Sequence, residues 1–283
     1  MTPLDIPVAG AIRIDGYGSP AVLAYALAPL APLGVGEVRI RTLFAAVNHT
    51  DLKIRAGHWP VRKAAPFPYT PGVEALGIVE ALGPEAARWR TGQTVITMMQ
   101  GLGGVRAERP GGYAEFVTVH EDALALVPPA IDPVAMATLG LVGVTAYEGL
   151  RRLGPLAGRR ILVTGAAGGV GSAAIAIARA QGASVVALVS REAQADYVRS
   201  LGAGEVRVAP KGEAAPLEPE SIDGVLDTVG GAIFSDCVKA LRAGGALSLV
   251  GAVGGGDVAF DAWNLIRPVT LTGYSTEALD GQG

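Results

Sequence analysis

Arg160-Ile161-Leu162-Val163-Thr164-Gly165-Ala166-Ala167-Gly168-Gly169-Val170-Gly171 is the stretch that decides the fold. A short apolar run, residues 160–164, ends in a glycine-rich turn, and residues 170–181 continue with alanine and isoleucine at helical spacing. Strand, turn and helix in that order are the setting in which a glycine turn holds a dinucleotide pyrophosphate. A bare Gly168 lets phosphate oxygens reach the N–H groups at the helix N-terminus, and a bare Gly171 lets helix and strand pack closely. Ala167, Gly168, Gly169 and Val170 are therefore the expected phosphate contacts, while Ala166 takes the place of the pattern's first glycine. Such turns also collect glycines for steric reasons alone, so the flanking elements carry the functional reading.

Downstream, residues 185–189 read as a second strand and 192–201 as a second helix. Further strands follow at 205–208, 224–226, 246–250 and 269–272, with 212–219 as a surface loop. Strands alternating with helices make a parallel sheet, and six strands complete a Rossmann domain. The second strand ends at Val189-Ser190-Arg191, where an acid would hold the 2′-hydroxyl of NAD. Ser190 can donate a hydrogen bond instead, and Arg191 can pair bidentately with a phosphate, which points to NADPH. The competing reading leaves Arg191 solvated and puts Glu192 at the ribose. Ligands bind beyond such strand ends, so Val229, within 227–231, and Gly251 are expected cofactor contacts.

Upstream, the short β-rich segments 37–47, 75–82, 94–98 and 114–119 are punctuated by Gly and Pro, giving an α/β chain with a mainly β domain over 1–130 and a Rossmann domain over 131–274. The apolar run 133–147 is shorter than the ~20 residues of a membrane helix and reads as a buried helix with its approach. The chain has 283 residues, half of them hydrophobic, and a formal charge of -3, with Lys and Arg scattered. That excludes nucleic acid as an expected partner. Cys237 is the only cysteine, so no internal disulfide and no multi-thiolate metal site can form, and a reducing cytoplasm is expected. The start of the chain lacks the pattern of a secretory signal.

Five ordered motifs give the chain a family resemblance. They are residues 47–57 (Val-Asn-His-Thr-Asp-Leu-Lys-Ile-Arg-Ala-Gly), 71–77 (Pro-Gly-Val-Glu-Ala-Leu-Gly), 111–117 (Gly-Gly-Tyr-Ala-Glu-Phe-Val), 143–147 (Gly-Val-Thr-Ala-Tyr) and the glycine turn. In these the chain resembles the zinc-free quinone oxidoreductase branch of the medium-chain dehydrogenase/reductase superfamily. The resemblance implies a GroES-like β domain, a Rossmann domain and a cleft between them. It also implies reduction by NADPH of a small quinone or other α,β-unsaturated carbonyl. An enoyl reductase acting on a thioester or biosynthetic enone shares every motif, and a non-catalytic NADPH-binding scaffold is a further alternative.

Metal-dependent relatives place a Cys ligand at Asn48 and a His ligand at Val73, so no metal is expected. His49, His58 and His120 stand alone, and the Cys-rich loop of a structural zinc has no counterpart between Met98 and Gly111. By resemblance, Asn48 lines the nicotinamide site and hydrogen-bonds the acceptor carbonyl; the alternative is a turn cap before the helix that starts near Asp51. Asp51 and Lys53 join Asn48 as catalytic candidates: Lys53, which stands where many relatives carry Tyr, is placed to stabilise an enolate or bind an acidic substrate and is equally read as a solvated lysine, while Asp51 is expected to cap that helix and orient Lys53. Trp59 falls where relatives place an aromatic at the substrate pocket, with core packing as the equal alternative. Thr145 matches a position beside the nicotinamide, whereas Tyr147 is expected to pack. Strand 269–272 is expected to pair with its copy in a homodimer. Relatives return from the last strand to the first domain, and the short tail 275–283 is expected to lack that return segment.

Overall fold

The computed structural model describes residues 7–59, 67–98 and 109–275. Its contacts divide the chain into two compact units, Met1–Leu141 and Val142–Gly283.

In the first unit, β1 (Val8–Arg13) and β2 (Ala24–Pro29) form an antiparallel hairpin. A second sheet holds β3 (Glu37–Phe44), β4 (Glu74–Leu82), β5 (Thr94–Met98), β6 (Phe116–His120) and β7 (Ala125–Leu126) in the antiparallel order β6-β3-β4-β5-β7. Alternation sets the faces, as the period of two requires: Val38 and Ile40 of β3 are fully buried with Val79, Val95 and Val119, while Arg39 and Arg41 point the other way. One helix, α1 (His49–Ala56), follows β3 and ends at Gly57, whose φ of 78° is the left-handed closing geometry that glycine adopts without strain.

The apolar run 133–147 is two helices. These are α2 (Pro133–Ala137), capped by both Asp132 carboxylate oxygens, and α3 (Gly140–Arg151). Ala137 and Met136 pack on Leu76, Ile96 and Val127, and Leu141 packs on Ile14, Ile54 and Val73. These contacts draw α2 and the start of α3 into the first unit, which moves the division of the chain from the expected 130 to Leu141. Tyr147 of α3 is 49% exposed, contrary to expectation. It lies off the stripe Ala146, Leu150 and Leu153 that packs into the second unit's core.

The second unit is a six-stranded parallel sheet of β8 (Arg160–Val163), β9 (Ser184–Val189), β10 (Glu205–Val208), β11 (Ile222–Asp227), β12 (Leu241–Leu249) and β13 (Thr270–Gly273). Its order, β10-β9-β8-β11-β12-β13, is that of a Rossmann sheet, with the chain reversing direction across the sheet between β8 and β11. Helices α4 (Gly169–Ala180), α5 (Ala195–Ser200) and α6 (Phe234–Ala240) connect the strands. Ile161 and Val163 face Ala174, Ile175 and Ala178 of α4, whereas Leu162 faces the opposite core with Val225, Leu247 and Val238. Apolar residues on both faces of one strand are what a sheet covered on both sides needs.

Candidate active site and cofactor site

In the first unit the candidate residues converge on α1. Asn48 stands at its N-cap and Asp51 in its first turn, both buried. Asp51 reaches back as a capping residue: Oδ2 accepts the Asn48 N–H at 2.8 Å, and Oδ1 accepts the Val73 N–H at 2.9 Å. Neither oxygen pairs with Lys53, which is half-buried two residues along, so the expected orientation of Lys53 by Asp51 is corrected. Residues two apart on a helix do not share a face. Trp59 packs with Ile14, Ile54, Tyr69 and Val73, the core-packing alternative.

The Asn48 amide nitrogen reaches away from the helix. This Nδ2 donates to Oε1 of Glu74 at 2.6 Å, while Oε2 of Glu74 accepts the Leu141 N–H at 2.7 Å. Glu74 is 3% exposed, and a Cβ on Gly140 would come within 2.0 Å of its Oε2, so Gly140 must be bare for the carboxylate to reach α3. Because an ionised carboxylate only accepts, Glu74 fixes which way the Asn48 amide faces and leaves one amide N–H to donate elsewhere. Tyr113 completes the cluster. Its hydroxyl is buried beside Asp51, and burial with that neighbouring charge holds it well above the usual phenol range. Glu74 and Tyr113 lie inside recognised motifs yet were not singled out as site residues; the signal available was an acidic and a phenolic residue in otherwise apolar or glycine-rich runs.

Burial raises the Asp51 carboxyl to about 6, with the charge of Glu74 adding to the effect against the hydrogen bonds that oppose it. The folded protein therefore holds this proton more tightly than the unfolded chain. Asp51 contributes most stability below its unfolded value of about 3.9, loses it as pH rises to about 6, and changes nothing above that. We expect the stability advantage of the native protein over Asp51→Asn to shrink between pH ~4.5 and pH ~7.5. Urea denaturation of both proteins at the two pH values checks this; a constant difference would place Asp51 at its ordinary value.

In the second unit the candidate residues share the C-terminal edge of the sheet. Ala167 to Val170 form the turn between β8 and α4, Ser190 and Arg191 follow β9, Val229 follows β11 and Gly251 follows β12. Thr145 lies one turn before Gly149, which abuts Leu226 and Val250. The turn separates its glycines by role. A Cβ on Gly171 would meet Gly165 O at 2.4 Å and Ala166 Cα at 2.6 Å, so packing demands that glycine. A Cβ on Gly168 would meet only Gly165 O, at 3.2 Å, and the residue is exposed with an ordinary φ of -81°. Its bareness leaves the N-terminus of α4 open to a ligand, and among the described residues no side chain caps those N–H groups. Ala166 is fully buried and fits the first-glycine place.

Arg191 is exposed and has no ion pair among the described residues, while Ser190 Oγ makes a 3.4 Å contact with Gln194 Oε1. Tyr197, which no sequence motif marks, bonds Ser172 Oγ at 3.1 Å and so joins α5 to the first turns of α4. An open phosphate turn beside an unpaired guanidinium fits NADP(H). A zinc ion is not fitted. Val73 is an apolar, fully buried side chain, the Asn48 amide is held by Glu74, and no cluster of metal-ligating side chains occurs among the described residues. Residues 99–108, where a structural-zinc loop would fall, lie outside the described residues, as does the tail from 276 on. Among the described residues no helix is long and apolar enough to cross a membrane.

Comparison with known proteins agrees with this layout. Residues 34–129 match the family model of the alcohol dehydrogenase GroES-like domain, and residues 169–276 match that of the zinc-binding dehydrogenases. The chain is 34% identical to the acrylyl-CoA reductase AcuI of Ruegeria pomeroyi over 87% of its own length and 75% of the relative's. Among solved structures it is similar to the yhdH oxidoreductase of Salmonella enterica in complex with NADP (TM-score 0.76, 27% identity, 94% and 82% of the two chains). It is also similar to a quinone oxidoreductase of Pseudomonas syringae (TM-score 0.80, 26% identity, 95% and 82%). The chain spans 57% to 75% of the length of the first curated relatives it matches. With its motifs in order, its GroES-like sheet and its Rossmann sheet, the chain belongs to the medium-chain dehydrogenase/reductase superfamily, in the quinone oxidoreductase-like branch.

Proposed function

We propose that this oxidoreductase family member reduces small conjugated carbonyl compounds, quinones or other α,β-unsaturated carbonyls, with NADPH and without zinc. The observation that carries the reading is the Asn48–Glu74 pair. Where metal-dependent relatives hold a Lewis acid, this chain presents an amide oriented by an acceptor-only carboxylate, with one N–H left for a substrate oxygen. One hydrogen bond is a weaker polariser than a metal ion, which suits an acceptor that is already electrophilic. NADPH, when bound, supplies the hydride. Ala167 to Val170 would hold its pyrophosphate, Ser190 and Arg191 its 2′-phosphate, and Val229, Gly251 and Thr145 its nicotinamide end. The division of labour is a GroES-like substrate domain and a Rossmann cofactor domain.

NADPH consumption in the presence of quinones, enones and enoyl thioesters tests the reading; no turnover of any class would overturn it. Similarity to an acrylyl-CoA reductase favours a second reading, in which the acceptor is an enoyl thioester. Faster turnover of thioesters than of quinones and simple enones would select it.

Arg191 faces solvent unpaired, and a charge-assisted hydrogen bond contributes about 1.5–3 kcal/mol. We therefore expect NADPH to bind well over tenfold more tightly than NADH, and Arg191→Ala to narrow the gap. Equal dissociation constants for the two cofactors in the native protein would remove Arg191 from the site.

The assembly we propose is a homodimer. β13 is an edge strand, and the nearby Trp263 and Ile266 are 75% and 69% exposed. Pairing this edge with its copy would satisfy its backbone and cover those side chains. Light scattering is expected to give twice the 28.7 kDa chain mass at micromolar concentration, and Ile266→Lys to lower it; a monomer throughout would refute the assembly.

A further inference from the structure

Asp227 is fully buried at the end of β11, yet its carboxylate is used unevenly. Oδ1 accepts three hydrogen bonds, from Thr164 Oγ1 at 2.6 Å, Val229 N at 2.9 Å and Gly230 N at 3.1 Å, while Oδ2 has no partner among the described residues. Thr164, the last residue before the phosphate turn, is also fully buried and works in both directions. Its Oγ1 accepts the Thr228 N–H at 2.9 Å, and its carbonyl oxygen accepts the Thr228 hydroxyl at 2.9 Å. The Thr228 hydroxyl in turn occupies the space beside Gly165, where a Cβ would stand 2.4 Å from it. Gly165 has a φ of 56°, so the first bend of the turn is built around Thr228.

These bonds join the ends of β8 and β11, adjacent strands between which the strand order reverses. That is where a doubly wound sheet opens its crevice, with one mononucleotide half on each side. We propose that Asp227, Thr164 and Thr228 are positioning residues that clasp the phosphate turn and the 228–231 loop into one unit, so that pyrophosphate and nicotinamide are held in fixed relation. The proposal rests on the reading of this unit as the NADPH site. A carboxylate suits the task because a single oxygen can gather one hydroxyl and two backbone N–H groups, organising the loop end and the neighbouring strand together. The loop continues the arrangement: Val229 O accepts the Gly254 N–H at 2.8 Å, which ties in the segment after β12 that contains Gly251.

Thr228→Val removes the hydroxyl donor and keeps the shape. In the ligand-free protein, amide hydrogen exchange is expected to quicken across 165–168 as well as 228–231, and Thr228→Ser to restore the native rates. NADPH should bind about tenfold more weakly to Thr228→Val, the loss expected of one hydrogen bond, while adenosine 2′-monophosphate, which has no pyrophosphate, should keep its affinity. Thr164→Val, which breaks the clasp from the other strand, should give the same pattern. Exchange changes confined to the substituted segment would overturn the clasp, as would unchanged NADPH affinity or an equal loss for both ligands. If the native protein bound neither ligand, the cofactor reading would fail, whereas hydrogen exchange would still decide whether the two segments act as a unit.

Discussion

Gly168→Val is expected to weaken NADPH binding about 100-fold, a change of ~2.7 kcal/mol, while leaving the thermal midpoint close to native. Gly171→Val is expected to cost most of the folded protein. The contrast follows from what each side chain would meet. At Gly168 the backbone angle suits any residue, and the nearest atom to a Cβ is Gly165 O at 3.2 Å, so the protein can accept the branch. The branch would then stand over the first N–H groups of α4, the space a pyrophosphate must enter. At Gly171 a Cβ would lie 2.4 Å from Gly165 O and 2.6 Å from Ala166 Cα, which can be relieved only by parting α4 from the main chain of the turn. Overpacking of that kind costs 1–3 kcal/mol or more even where side chains can yield, and here only main chain could move. Calorimetric titration with NADPH and thermal denaturation of the two variants check both halves. A Gly168→Val protein that binds NADPH normally would remove the pyrophosphate from the N-terminus of α4.

The Rossmann half was legible because its signals are local. Residues 160–171 carry strand, turn and helix in one uninterrupted run, and Ile161, Leu162 and Val163 are all apolar because both faces of β8 are covered. The order of strands follows from the same alternation. The hairpin of β1 and β2 was missed, since Gly10 and a series of alanines dilute its alternation and no two-residue turn joins the strands. The site in the first unit was legible only in part. Asn48 and Asp51 sit in one motif and were found together, but their partners Glu74, Val73 and Tyr113 come from distant segments brought in by β4 and the loop before β6. Spacing along a chain carries no record of such pairings. Asp227 shows the same limit: its place at a strand end could be read from the sequence, whereas three donors converging on one of its oxygens could not.

Glu74→Leu is expected to destabilise the first unit by about 2–4 kcal/mol. Two donors would lose their acceptor in a buried place: the Asn48 Nδ2–H, now 2.6 Å from Oε1, and the Leu141 N–H, now 2.7 Å from Oε2. Each orphaned buried donor costs about 1–3 kcal/mol, and relief from burying the carboxylate charge offsets part of that sum. The two losses differ in how they can be repaired. Asn48→Ala deletes the first donor, so Glu74→Leu added to Asn48→Ala orphans only the Leu141 N–H. The double variant is therefore expected to be more stable than the sum of the single changes predicts, by about 1 kcal/mol or more, a coupling typical of residues in direct contact. Asp51 offers a second readout, since the charge of Glu74 helps to raise its carboxyl, and the pH at which Asp51 titrates should fall in Glu74→Leu. Urea denaturation of the native protein, both single variants and the double variant gives the coupling directly. Additive losses would mean that Glu74 supports the helix start at Leu141 alone, and that Asn48 owes its orientation to something else.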